Sequence, residues 1–200
     1  MALTTVDTTA LSGTITNAQL AGSIDLTAKV TGALPIANGG TAATTLAAAG
    51  LASAPSFLCT MSTAQTSLGD GVITKVAFDT EVYDTNSAYD TTNYKFTVPA
   101  GEGGKYYIYT KVDSADSTGS QLRSYRTYVY KNGSEYSPTV AVVDSRDNFS
   151  KGGAFMAGSI IELAATDYVE AFARIDTNNS EVWSISTTFS VFGGWKVIGV

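Results

Sequence analysis

From Gly104 to Val112 the side chains divide between two faces of an extended chain. Tyr106, Ile108, Thr110 and Val112 fall on one face, and Tyr107, Tyr109 and Lys111 on the other. Segments with the same β-branched and aromatic character fill the chain from about Phe57 onward. They are KVAFDTEVYD, YKFTVPA, SYRTYVYKNG, TVAVVD, GSIIELAATDYVEAFARID and EVWSISTTFSVFGGWKVIGV, with turn signals between them. Lys131-Asn132-Gly133-Ser134 carries the Asn-Gly pair favoured in two-residue hairpins. No segment in this part has a helical period, so the pattern predicts a mainly β fold, an antiparallel jelly-roll sandwich.

The chain before Phe57 follows a different pattern. LSGTI, LAGSI and VTGAL share the order apolar, small, Gly, small, apolar, and their glycines Gly13, Gly22 and Gly32 recur every nine or ten residues. Such a repeat predicts short extended segments with one or two aliphatic anchors each: Ile15, Leu20, Ile24, Leu26, Val30, Leu34 and Ile36. No segment is long enough to form a sheet alone. In LPIANGGTAATTLAAAGL, Pro35 and Gly39-Gly40 prescribe a turn, Thr41 or Thr44 can cap a short helix over Ala42 to Ala49, and Gly50 ends it. A helix of about two turns does not hold in water alone. Its apolar positions, Leu46 and Leu51 included, need a partner surface, and copies of the same chain are the simplest supply. The expected division is 1–54 as an extended stalk and neck, and 55–200 as a globular head.

Charge sharpens this division. Before Leu68 the only charged side chains are Asp7, Asp25 and Lys29. The net charge of -6 lacks the basic face that nucleic-acid binding needs. No run approaches the roughly 18 to 20 apolar residues of a membrane span, so no membrane insertion is expected. The amino end shows no signal-peptide pattern. With no histidine and a single cysteine, Cys59, the usual triads and multi-cysteine zinc sites are excluded. Cys59 reads as a small buried apolar side chain.

Two resemblances follow from particular residues. Phe78-Asp79, Tyr89-Asp90, Phe96 to Pro99 and Gly104 to Tyr107, with YKNGS, IIELAATDYVEAF and TTFSVFGGWKVI downstream, resemble the globular head of complement component one q. That head belongs to the tumour-necrosis-factor-like jelly-roll superfamily. ITNAQLAGSI followed by LPIANGGTAATTLAAAG is similar to bacteriophage tail-fibre segments, with Ala42 where that pattern usually has another glycine. Together they imply a homotrimeric fibre on a virion, assembled in the host cytoplasm and exposed on the particle surface. Its stalk would be intertwined and would bind other tail or capsid proteins through Ile15, Leu20, Ile24, Leu34, Pro35, Ile36, Gly39, Gly40, Leu46 and Leu51. Its tip would meet a host-surface glycan or protein. Alternatives are a capsid head fibre or decoration protein without a receptor role, and a polysaccharide-binding adhesion head.

Candidate chemistry is sparse, and no enzyme is expected. Asp113 with Asp116, Asp144 with Asp147, and Glu162 with Asp167 are the carboxylate pairs that glycoside hydrolysis would require, but each sits in a turn-like stretch that Asp itself supports. No cofactor is expected; calcium is the one ion that DSRDN and DTNNSE could hold, and neither has EF-hand spacing. Candidates for receptor contact are Tyr107, Tyr109, Arg126, Tyr128, Asp144, Asp147 and Asn178, with Arg123 as a further basic side chain. Tyr107, Tyr109, Tyr128, Tyr130 and Trp183 are equally the rings expected in the sandwich core or against a sister subunit. The loops expected to carry recognition are Asp113 to Gln121, Asp144 to Gly153 and Asp176 to Ser180.

Overall fold

The alternation at Gly104 belongs to a thirteen-residue strand that the computed structural model shows buried on every second side chain. The structure describes residues 54–117, 119, 121–144, 151–178 and 180–198. The stalk anchors from Ile15 to Leu51, the short helix and Asp147 lie outside the described residues. In chain order the strands are β1 (Ser56–Thr60), β2 (Gln65–Leu68), β3 (Thr74–Lys75), β4 (Thr80–Asp84), β5 (Tyr89–Asp90), β6 (Lys95–Thr97) and β7 (Gly104–Asp116). They continue as β8 (Leu122–Lys131), β9 (Ser134–Glu135), β10 (Ala141–Asp144), β11 (Gly152–Leu163), β12 (Tyr168–Thr177), β13 (Trp183–Ile185) and β14 (Val191–Lys196). The one helical element among the described residues is a 3-10 turn at Ser137–Thr139.

Two antiparallel sheets face each other. In the first, β7 is central: β11 pairs along one edge, β14 and β13 along the other, and β1 and β4 continue outward from β14. The second runs β10-β8-β12-β6-β5, with β3 on β12 and β9 on β8. This is the predicted jelly-roll sandwich. Its core is aromatic, and the motif residues build it. Phe57 stacks on Phe96 at 4.5 Å between centroids and on Tyr89 at 5.4 Å, and meets Phe192 edge-on at 5.1 Å. Phe78 packs on Phe192, and Tyr106 on Phe96. Tyr89 keeps its hydroxyl satisfied by donating to the Phe78 carbonyl at 2.9 Å. Cys59 is buried in this cluster, and burial, with Glu81 and Asp84 nearby, pushes its thiol up to about 12. It is therefore held as the inert thiol.

Turn chemistry sets the two ends of the sandwich. At the first, Ala54–Ser56 enters beside the departing Lys196, whose amide donates to the Pro55 carbonyl at 2.9 Å. Thr85 fastens the same entry by donating its hydroxyl to the Ala54 carbonyl at 3.1 Å and its amide to the Ser56 carbonyl at 3.0 Å. The Asn-Gly hairpin is here too, with φ of 50° at Asn132 and 76° at Gly133, the left-handed pair that its two-residue turn requires. The Asn132 side chain ties that hairpin to Asp167, which also accepts from the Ala164 amide at 2.9 Å and lies 3.0 Å from Lys131 Nζ.

These contacts, Asn132 first, hold the Asp167 carboxyl at about 2. A depressed native pKa stabilises the fold above the unfolded carboxylate range near 4, and that stabilisation is lost as pH falls through about 2. Asp167→Asn is therefore expected to lower the urea midpoint at pH 7 by the equivalent of about 1 kcal/mol or less, since the pair is partly solvated. The deficit should shrink towards nothing at pH 2. An equal deficit at both pH values would show that the charge contributes nothing.

Candidate functional site: an open aromatic face and a convergent loop end

The outward side chains of the first sheet form rows fixed by register. One row runs Ile160, Tyr107, Trp195, Ser56; the next runs Gly158, Tyr109, Gly193, Leu58, Tyr83. A third sets Met156 beside Lys111 and Val191. Tyr107 lies 4.8 Å from Trp195 and 5.9 Å from Tyr109, and Tyr109 is 6.1 Å from Trp195 edge-on. Glycines make room for the middle ring: a Cβ on Gly158 would lie 2.8 Å from Tyr109 Cβ, and one on Gly193 2.9 Å from Tyr109 Oη. Burial raises the Tyr109 phenol above its ordinary range, and the Tyr83 and Tyr107 phenols beside it add to this. The face is nevertheless open to solvent. Met156 is 57% exposed, Ile160 54% and Trp195 46%, while Tyr83, Val82 and Phe189 are exposed around them. Lys111 Nζ sits 5.8 Å over the Phe189 ring at its border. A contiguous apolar surface of this extent is what an interface looks like before its partner arrives.

The remaining candidates lie elsewhere. Of the three loops expected to carry recognition, residues 145–150 lie outside the described residues, and the described flanks come together at the end of the sandwich opposite Ala54. The Asn178 amide donates to the Gln121 carbonyl at 2.8 Å, the Asp116 amide to the Lys151 carbonyl at 2.9 Å, and the Ser117 amide to the Val182 carbonyl at 3.1 Å. Asn178 and Asp144 are exposed at this end. The nearby Gly69-Asp70-Gly71 turn is pinned from β12 and β13, with Asp70 accepting from the Thr177 amide at 2.6 Å and Trp183 donating to the Gly69 carbonyl at 2.9 Å. Arg126 and Tyr128 lie on the outward face of the second sheet, where Tyr128 is only 2% exposed. Trp183 is fully buried in the core, and Trp195 is the tryptophan that reaches the surface.

The expectation that the carboxylate pairs sit in turns holds in part: Asp113, Asp144 and Glu162 lie in β7, β10 and β11, Asp147 lies outside the described residues, and Asp116 and Asp167 hold turns. Asp116 accepts from the Gly119 amide at 2.6 Å and from that of Gln121, and Asp167 holds the turn before β12. Among the described residues no three His, Cys, Asp or Glu side chains converge as metal ligands would. Sequence reasoning missed Met156, Gly158, Ile160 and Trp195, and the one available signal was the register of β11 and β14 on the Tyr107-Tyr109 strand.

Two antiparallel sheets with an aromatic core between them make a jelly-roll β-sandwich with one open apolar face. No family model and no curated protein matches the chain. Solved structures similar to it include the crystal structure of murine APRIL at pH 5.0, 13% identical with a TM-score of 0.51, over 72% of this chain and 99% of that one. The globular domain of zebrafish complement 1qA protein is 15% identical with a TM-score of 0.45, over 73% of this chain and 99% of that one. The likeness to APRIL is one of fold.

Proposed function

We propose that the chain is a structural virion protein, a homotrimeric phage fibre whose jelly-roll head meets the host surface and whose amino-terminal part joins the particle. The open aromatic face of the first sheet carries the assembly. Covering Tyr107, Tyr109, Trp195, Met156 and Ile160 with the same face or its edge from a sister subunit removes apolar area from water at about 25 cal/mol per Å². The number three comes from the resemblance to complement-type heads and tail fibres. The stalk sequence fits the same arrangement, because Leu34, Ile36, Leu46 and Leu51 gain in three copies the partner surface that one copy lacks.

Polarity supports the attachment role. Ala54–Ser56 lies at one end of the sandwich, and the described residues of the three loops lie at the other. Deleting Met1 to Ser53 is expected to leave a folded head that no longer enters particles, read by circular dichroism and by the protein content of purified virions. A truncated chain that still joined virions would contradict the anchor role of the stalk. Purified heads added before infection are expected to compete with the particle for the host. Heads that bind no cell and leave infection unchanged would instead make this a decoration protein.

A further inference from the structure

The outward face of the second sheet carries a feature that neither the core nor the assembly uses. Arg126 on β8 and Arg174 on β12 are direct cross-strand partners. Side chains so placed start about 5 Å apart, and like charges in that position destabilise a sheet unless something between them is negative. Nothing among the described residues is. Arg126 is exposed and makes no hydrogen bond or ion pair there, in a chain with 18 Asp and Glu against 12 Lys and Arg. Arg174 donates Nε to the Gly71 carbonyl at 2.6 Å, which fixes its guanidinium while leaving both terminal nitrogens without a partner among the described residues.

The neighbouring rows have a different chemistry. One row along the strands, Tyr128 faces Phe172, and one row further Tyr130 faces Glu170. Tyr130 and Phe172 stack at 4.1 Å between centroids, and both are half-buried. Lys75, in register with Phe172, is already held by Glu170 in an ion pair. On the other side the row is Asp144, Ser124 and Asp176, of which Ser124 and Asp176 present acceptors. Paired guanidinium forks, an aromatic platform about 7 Å away along the strand, and flanking hydroxyl acceptors therefore occupy one continuous surface.

We propose that this surface binds a saccharide bearing an oxyanion. Its carboxylate, phosphate or sulfate bridges Arg126 and Arg174, and its ring rests against Phe172 and Tyr130. Arginine is suited to this by the planar fork that matches an oxyanion two bonds at a time. The flanking Asp144 and Asp176 lower the net field, so the site favours a hydroxyl-bearing saccharide over a bare anion. The surface lies on the opposite side of the sandwich from the aromatic face of the first sheet, so it stays accessible in the trimer. This deepens the attachment reading and rests on it for where the saccharide is met; the geometry of the site does not depend on that reading.

The test titrates the full-length chain by calorimetry with tetragalacturonate, with its fully methyl-esterified counterpart, and with inorganic phosphate. Tetragalacturonate is expected to bind at least ten-fold more tightly than the ester, and its affinity to fall as salt rises. Arg126→Gln should weaken it at least five-fold with the thermal midpoint unchanged. Tyr130→Ala, checked for folding by circular dichroism, should weaken the saccharide while leaving phosphate unaffected. Equal binding of the ester, or full affinity in Arg126→Gln, would overturn the site. Phosphate binding as tightly as the saccharide would show a bare anion site and overturn the saccharide assignment. Failure of heads to compete for the host would bear on attachment alone.

Discussion

Replacing Ile160 with Glu is expected to turn the assembled chain into a folded monomer. Ile160 is exposed on β11 beside Tyr107, so a single subunit accepts the carboxylate with its side chain in water. In the proposed trimer the same position is buried in three copies. An unpaired carboxylate in an apolar contact costs several kcal/mol each time. Light scattering should then return one copy of the 20.8 kDa chain in place of three, with the far-ultraviolet β signal retained. Met156→Lys, on the same strand and directly opposite Lys111, should act alike by burying two like charges side by side. A mass of three copies in both variants would mean that the first sheet is not the interface.

The largest effect on folding is expected at Phe57. Its ring is the hub of the aromatic core, in contact with Tyr89, Phe96 and Phe192 from both sheets. Truncation leaves a cavity among rings that cannot all collapse into it. Phe57→Ala should cost about 3 to 5 kcal/mol of stability, or roughly 10 °C in thermal midpoint for a domain of this size. Leu58, next in sequence, points to the outer face of the first sheet, and Leu58→Ala should cost about 1 kcal/mol or less in the isolated head. Similar losses at both positions would contradict the inward and outward assignment of β1.

The core was legible only in part: Tyr106 follows from the alternation of β7, while Phe78, Tyr89 and Phe96 stand out in the sequence only as carriers of the family resemblance. They meet around Phe57. Asn132-Gly133 was legible for a local reason, since few pairs accept two left-handed residues in succession. The open face was half-legible. Tyr107 and Tyr109 follow from the period of β7, but β11 reads GGAFMAGSIIEL, apolar on both sides of the strand, and Ile160 and Ile161 are adjacent with opposite fates. Only pairing with β7 shows that Ile160 faces out and Ile161 in. The two tryptophans were not separable by sequence, because the irregular stretch between β13 and β14 shifts the register between them. The Arg126–Arg174 pairing was out of reach for the same reason: forty-eight positions separate the two residues, and only the antiparallel register of β8 and β12 sets them opposite.

The proposed fibre head must hold together at its axis while leaving its end and flanks free. The distribution of chemistry over this sandwich fits that requirement, with bulky apolar side chains on one sheet, charge on the other and converging loops at the end away from the entry. Hydroxyl-radical footprinting of the intact, unaltered chain tests this most directly, because it reads Met156 and Trp195 side by side with the core residues Met61 and Trp183. If the first sheet is covered by sister subunits, Met156 and Trp195 will oxidise almost as slowly as Met61 and Trp183 at micromolar concentration, and faster on dilution as the assembly dissociates. Oxidation of Met156 and Trp195 at the rate of free side chains, independent of concentration, would contradict the account.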